Sequence, residues 1–203
     1  MDWYEGNRRD FAWRHTRDPY KVLLAEMMVQ RTNARQAEKV WLHFTREFPT
    51  PETAQAAPED HLLRVLAPLG LRWRIDNVLK VLRNWPQDCL DLEALSALPG
   101  VGPYVISMVR VAGLGEPVAV VDNNIVRIYG RFFGLKTTDS TRRQAAFMAL
   151  CEAMLSKEKP AEFTWALLDL GGTVCTPRAP KCDQCPLSPR CVSRRRPSTE
   201  ALP

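Results

Sequence analysis

Leu98-Pro99-Gly100-Val101-Gly102 is the stretch around which this chain of 203 residues is organised. Pro99 fixes φ, and Gly100 and Gly102 permit a tight, left-handed backbone between two helices. No side chain shields the main chain at either glycine, so their N–H groups can approach a phosphate closely. Pro103 suits the first position of a following helix, whose N-terminal N–H groups and dipole favour an anion. Such a hairpin holds a nucleic-acid backbone without reading its sequence. Taken alone, the five residues read more simply as a helix–helix turn. Asp122 stands twenty residues beyond Gly102.

Composition narrows the partners. Lys and Arg number 28 against 23 Asp and Glu, for a net charge of +5. Arginines heavily outnumber lysines, which suits phosphate contacts. The start Met1-Asp2-Trp3-Tyr4-Glu5 has no apolar signal core, and no run is long enough to span a membrane. The expectation is a cytoplasmic, nucleoid-associated protein. In that reducing setting, six cysteines are not expected to pair as disulfides.

Outward from the hairpin, the apolar period is helical throughout and no strand pattern emerges. Residues 1–17 mix Trp3, Tyr4, Phe11 and Trp13 with four arginines, and read as an arm that packs its rings on the body. Asp18-Pro19 starts a helix through about Gln30. Its Glu26 is either solvated or buried with a raised pKa. Gln30-Arg31-Thr32-Asn33 breaks that helix, and another runs from Ala34 to Phe48. Two short helices follow, at Thr53–Ala57 and Glu59–Ala67. A turn at Gly70-Leu71-Arg72 leads to a helix reaching Trp85, and Leu92–Leu98 enters the hairpin. Pro103 to Leu114 is helical. Val118–Val121 delivers Asp122, which reads as the N-cap of the next helix. Asp139 or Ser140 is expected to cap a helix over Thr141–Leu155, and Phe163–Leu170 forms another. The tail from Arg194 reads as frayed.

Cys175, Cys182, Cys185 and Cys191 are spaced C-x6-C-x2-C-x5-C. Four thiolates this close can enclose one metal centre. Structural zinc takes two separated pairs of ligands, and here only the middle step is a pair. The longer loops lean towards an iron–sulfur cluster, with zinc still open. Cys151 reads as core, and Cys89 stands apart. Arg178 and Lys181, between the first two cysteines, form a basic loop that either contacts phosphate or is simply solvated.

Three features now stand in order: Leu98-Pro-Gly-Val-Gly102, Val121-Asp122 and the four cysteines. Together they resemble the helix-hairpin-helix DNA glycosylases of the endonuclease III superfamily. Asp18-Pro-Tyr-Lys21, Ala25-Glu-Met-Met-Val-Gln-Arg-Thr32, Gly70-Leu71 and Asp169-Leu-Gly-Gly-Thr-Val-Cys175 extend the likeness over nearly the whole chain. The resemblance implies an all-α, two-lobed fold. A helical barrel covers 18–115 with the hairpin at 98–102. A cluster domain joins 1–17 to 116–203. It further implies a [4Fe-4S] cluster on the four cysteines, a catalytic role for Asp122, and a monomer acting on double-stranded DNA with a mismatched or damaged base.

Departures within the family narrow the chemistry. Bifunctional members carry a lysine two residues after the second hairpin glycine and cleave the backbone through a Schiff base. Here that position is Tyr104, which implies a monofunctional enzyme that uses water. Adenine-excising members match Glu26, but usually have serine at Tyr104 and an added C-terminal domain, whereas this chain ends just after the cysteines. Thymine/uracil mismatch glycosylases share the tyrosine, Val121-Asp-Asn-Asn124 and Arg31-Thr32. The resemblance therefore implies removal of thymine or uracil opposite guanine. An adenine or other purine-lesion glycosylase, and a non-catalytic damage-binding module, are the alternatives. It also implies that Gln30 fills the vacated stack, Leu71 or Arg72 wedges the other strand, Arg31 touches the orphan guanine, Gly100 and Gly102 grip phosphate, and Glu26 contacts the base edge or relays a proton.

Overall fold

The computed structural model describes residues 1–86 and 91–195. Cys89 and the tail from Arg196 lie outside that range. The described residues are helical, and they divide into two compact units. One comprises Asp10–Glu116, and the other joins Met1–Arg9 to Pro117–Pro203. Residues 10–17, read from the sequence as part of the arm, thus belong to the first unit.

The first unit is built on α2 (Pro19–Val29), with α3 (Ala34–Glu47), α4 (Pro51–Ala56), α5 (Glu59–Leu66), α6 (Arg72–Arg83), α7 (Leu92–Ser96) and α8 (Pro103–Met108). The second holds α1 (Asp2–Asn7), α9 (Asn123–Phe133), α10 (Ala145–Met154), α11 (Pro160–Thr173) and the short α12 (Val192–Arg195).

Helix α2 is apolar on all sides, so it is buried on all sides. Leu23, Leu24, Met27 and Met28 are fully enclosed. Asp18 caps it by accepting hydrogen bonds from the Tyr20 and Lys21 backbone N–H groups, at 2.9 and 3.5 Å. Tyr4, Phe11 and Trp13 of the arm are buried, the packed reading of that segment rather than rings left open to nucleic acid. Phe11 stacks on Trp13 at 4.8 Å, and Trp13 meets Trp41 edge-on.

In the second unit, α9 turns Ile125, Ile128 and Tyr129 into a core with Phe147, Cys151 and Leu170. Gly134 ends α9 in the left-handed conformation, at φ 70°. Arg9 closes the N-terminal segment on α11: its backbone N–H and Nε donate to the buried Asp169 carboxylate at 2.9 and 2.6 Å.

Several elements depart from the sequence reading: α11 extends the helix read over Phe163–Leu170 by three residues at each end, and α1 forms within the segment read as an arm. The helix expected over Thr141–Leu155 begins at Ala145, after a 3-10 turn at Thr141–Arg143. Neither Asp139 nor Ser140 caps it. Instead Thr141 Oγ1 accepts from the Thr138 N–H at 2.8 Å, which folds those residues into a turn of their own. The helix leaving the hairpin changes at Val109 into a π-helical turn through Gly113. There Pro19 lies against Gly113, where a Cβ would meet its Cα at 3.2 Å.

Candidate functional site

The hairpin sits in the first unit. Gly100 has φ 83°, which only glycine adopts freely, and a Cβ there would lie 3.0 Å from Asn77 Nδ2. Gly102 differs. Its φ is −87°, and a Cβ would meet nothing within 4 Å. The fold therefore requires a glycine at Gly100 and does not require one at Gly102. Gly102 is exposed and is the N-cap of α8. Pro103 occupies the first turn of α8, and Tyr104 follows it, half-buried.

Two more loops join the hairpin in this unit. Gln30 Nε2 donates to the Gly100 carbonyl at 3.3 Å. Arg31, next in sequence, is exposed and holds φ 53°, a left-handed conformation that is costly for a residue with a Cβ. Leu71 is 38% exposed. Arg72 is exposed, with its Nε 3.0 Å from Asp76 Oδ1. Glu26 is buried, at 6% exposure, which removes the solvated reading.

Asp122 lies in the second unit, where it takes the N-cap position expected of it from the sequence. As N-cap of α9, its Oδ1 accepts from the Ile125 N–H at 2.8 Å. Its Oδ2 accepts from Asn124 Nδ2 at 2.6 Å. Burial pushes the carboxyl above its ordinary value, and these hydrogen bonds together with the Arg127 charge hold it back. Arg127 extends the network. Its Nη2 donates to Asn124 Oδ1 and to the Gly171 carbonyl, and its Nε to the Cys175 carbonyl, each at 2.8 Å. Gly171 makes room for this: a Cβ there would fall 2.6 Å from the Asn124 Cβ. Sequence reading did not single out Asn124 or Arg127 for this support.

The four cysteines line one cavity of about 150 Å³, with Leu187 and Arg131 also in its wall. Burial first, then the neighbouring Cys175, Cys191 and Cys182, raises the Cys185 thiol. Among the described residues, no three His, Cys, Asp or Glu side chains converge to hold a single metal ion. An ordered water fills roughly 10–15 Å³, so the cavity has room for a polynuclear group. Arg178 and Lys181 are exposed on the loop between the first two cysteines. Arg131 braces that loop, donating to the carbonyls of Thr176 and Pro177 at 2.7 Å. Arg194, expected to fray, donates to Asp183 at 2.7 Å.

Residues 24–153 match the HhH-GPD superfamily of base excision DNA repair proteins, and the chain belongs to it. The chain is 31% identical over 203 residues to a thymine-DNA glycosylase of Aeropyrum pernix, covering 95% of this chain and 91% of the relative. It is 30% identical to a thymine/uracil-DNA glycosylase of Methanothermobacter thermautotrophicus, covering 94% and 89%. The solved structure of a thermostable thymine-DNA glycosylase superposes with a TM-score of 0.84 at 29% identity, covering 95% of this chain and 92% of that one. Among the described residues, no helix is long and apolar enough to cross a membrane.

Proposed function

We propose that the protein is a monofunctional DNA glycosylase that hydrolyses the N-glycosidic bond of thymine or uracil opposite guanine and leaves an abasic site. The observation that carries this is Tyr104 in the first turn of α8. A lyase needs an amine at that point of the hairpin helix, and a phenol forms no Schiff base. The thymine- and uracil-specific relatives support the choice of base.

The target base leaves the stack to react. Asp122, ionised, faces the positive charge that develops on the sugar and accepts a proton from the attacking water. The water oxygen bonds to C1′ as the bond from C1′ to the base breaks. The pyrimidine departs as a delocalised anion and is then protonated. Asn124 and Arg127 hold Asp122 in place and help to keep it ionised. Tyr104 packs on the flipped nucleotide, and Glu26 contacts the base edge or relays a proton. Gly100 and Gly102 grip the phosphate. Gln30 fills the vacated stack, Leu71 or Arg72 wedges the opposite strand, and Arg31 reaches the orphan guanine.

A [4Fe-4S] cluster fits the four-cysteine cavity, held by Cys175, Cys182, Cys185 and Cys191. When bound, it supplies a rigid anchor for the loop carrying Arg178 and Lys181. The protein acts as a monomer on chromosomal DNA.

The test is a strand-nicking assay on single-lesion duplexes with and without alkali. Strand breaks are expected only after alkali, at thymine or uracil opposite guanine. Breaks without alkali would refute the monofunctional reading. Excision confined to adenine opposite oxidised guanine would refute the pyrimidine reading. Visible absorption of a brown protein tests the cluster, since a zinc protein is colourless.

A further inference from the structure

Arg74 is 1% exposed, the largest of the fully buried side chains, and among the described residues no carboxylate is paired with it. Its Nη1 donates to the Gln30 carbonyl and its Nη2 to the Leu69 carbonyl, while Nε finds no partner among the described residues. Burying a guanidinium without a carboxylate is costly, and an apolar side chain of similar volume would fill the space more cheaply. What balances the charge here is backbone. Gln30 is the C-cap of α2, and Leu69 closes the 3-10 turn that continues α5. Arg74 lies between the negative ends of two helices, where a cation is favoured. Its guanidinium bonds to both.

Both helix ends lead directly into surface loops. Beyond Gln30 comes Arg31, in its strained left-handed conformation. Beyond Leu69 come Gly70, at φ 90°, and then Leu71 and Trp73, 38% and 44% exposed. Gln30 also reaches the hairpin at Gly100 through its side chain. Three loops of the first unit are therefore tied together, two of them through a single guanidinium fork, and one of these, with the first turn of α6, presents two exposed apolar side chains within three residues. Exposed apolar and aromatic groups beside a phosphate-binding backbone are suited to entering a base stack.

We propose that Arg74 is a positioning residue for base extrusion: its two hydrogen bonds set the spacing between the loop at Gln30-Arg31 and the loop at Gly70-Leu71 with the first turn of α6 that follows it, so that both enter the duplex together. This rests on the reading of Gln30 and Leu71 as the side chains that replace the flipped base. Lysine preserves the charge but not the fork. One ammonium cannot hold both carbonyls in the same geometry.

The experiment compares Arg74→Lys and Arg74→Met with Gln30→Ala/Leu71→Ala, each in the full-length protein. Flipping is followed by the fluorescence of 2-aminopurine placed beside a thymine–guanine mismatch, and excision by single-turnover kinetics. Affinity for fully matched duplex and the melting temperature are measured alongside. Arg74→Lys is expected to melt cooperatively and bind matched duplex within about threefold of the native protein. Its excision should fall roughly tenfold, that of Arg74→Met on the order of a hundredfold, with the 2-aminopurine rise lost in step. In the Gln30→Ala/Leu71→Ala background, adding Arg74→Lys should cost far less than it does alone, because the loops it positions no longer carry their side chains. A role confined to stability would lower the melting temperature and leave the fluorescence rise intact, which would overturn the proposal. So would native excision by Arg74→Lys, or an undiminished cost in the double-variant background. If Arg74→Met does not fold, Arg74→Lys decides. Native flipping and excision by Gln30→Ala/Leu71→Ala itself would instead refute the stack-filling reading, a result recognisable without any Arg74 variant.

Discussion

Asp122 is asked to do two things that pull its pKa in opposite directions. Burial raises it, while the Ile125 N–H, Asn124 and the charge of Arg127 lower it. The proposed mechanism uses the ionised form, so the excision rate should climb with pH through the folded-state pKa and then level off. Arg127→Met removes one of the lowering influences, so the acid limb of its single-turnover profile should shift to higher pH. An unmoved limb would separate Arg127 from the carboxylate. Stability runs the other way. Because the folded-state pKa lies above the unfolded value, the folded protein binds more protons between the two. The associated stability is complete below the unfolded pKa and is lost as pH rises through the folded one. At pH 7 the ionised Asp122 is thus a net cost. Asparagine is an equally good N-cap, so Asp122→Asn should lose turnover, still bind DNA, and melt higher at pH 7 by about 2–4 °C, the shift that about 1 kcal/mol gives in a chain of this length. Calorimetry and a glycosylase assay on the same preparation check both halves. Retained turnover would remove Asp122 from its role. Asp122 itself was visible in the sequence, because a cap residue before a strong helical period is local information. Its supports were not. Arg127 bonds to the carbonyls of Gly171 and Cys175, more than forty residues away, and Arg74 to that of Gln30. A bond to backbone leaves no trace in the identity of the partner.

The same contrast runs through the elements. Helices α2 and α9 were legible because caps and apolar period agree: Asp18 before Pro19, and Asp122 before Ile125, Ile128 and Tyr129. The start of α10 was not, because Thr138, Asp139, Ser140 and Thr141 are all competent caps and the chain uses them in a turn of its own. Nor was the π turn after Met108, since nothing in Val-Arg-Val-Ala-Gly sets it apart from an α-helix. The hairpin illustrates what structure adds to a motif. Its two glycines look equivalent in sequence, yet only Gly100 is demanded by the fold. Gly100→Ala forces a Cβ into the left-handed region at 3.0 Å from Asn77 Nδ2, so it should destabilise by about 1–3 kcal/mol. Gly102→Ala meets no atom and an allowed φ, so it should leave stability unchanged or raise it by up to about 1 kcal/mol. Its DNA affinity should nevertheless fall, because a methyl group then stands where a phosphate has to approach. Denaturant unfolding and equilibrium binding of both variants check this. If Gly102→Ala binds native-like, Gly102 is no phosphate contact.

At the scale of the whole molecule the charge excess is modest, +5 in 203 residues, and its placement matters more than its size. Several arginines are committed internally: Arg9 to Asp169, Arg127 and Arg131 to carbonyls, Arg110 to Glu116. These cations are engaged in holding the fold. Arg178 and Lys181 are different. They are exposed on a loop whose backbone is already shaped, by Arg131 and by the Thr176 hydroxyl donating to the Ala179 carbonyl at 2.7 Å. A preformed loop loses little entropy on binding, which suits the two charges to the phosphate contacts proposed for them. For duplex DNA, log K falls with log salt at about 0.9 per phosphate neutralised. The Arg178→Ala/Lys181→Ala variant should therefore bind more weakly at low salt, with a slope shallower by roughly 1.8. The loss should be the same for matched and mismatched duplexes, because phosphate contacts carry no base information. Single-turnover excision at saturating enzyme should remain native, since neither side chain takes part in the chemistry. Titrations across a salt series distinguish the alternatives: an unchanged slope would make the loop a solvated surface, and a loss confined to mismatched DNA would make it part of lesion recognition.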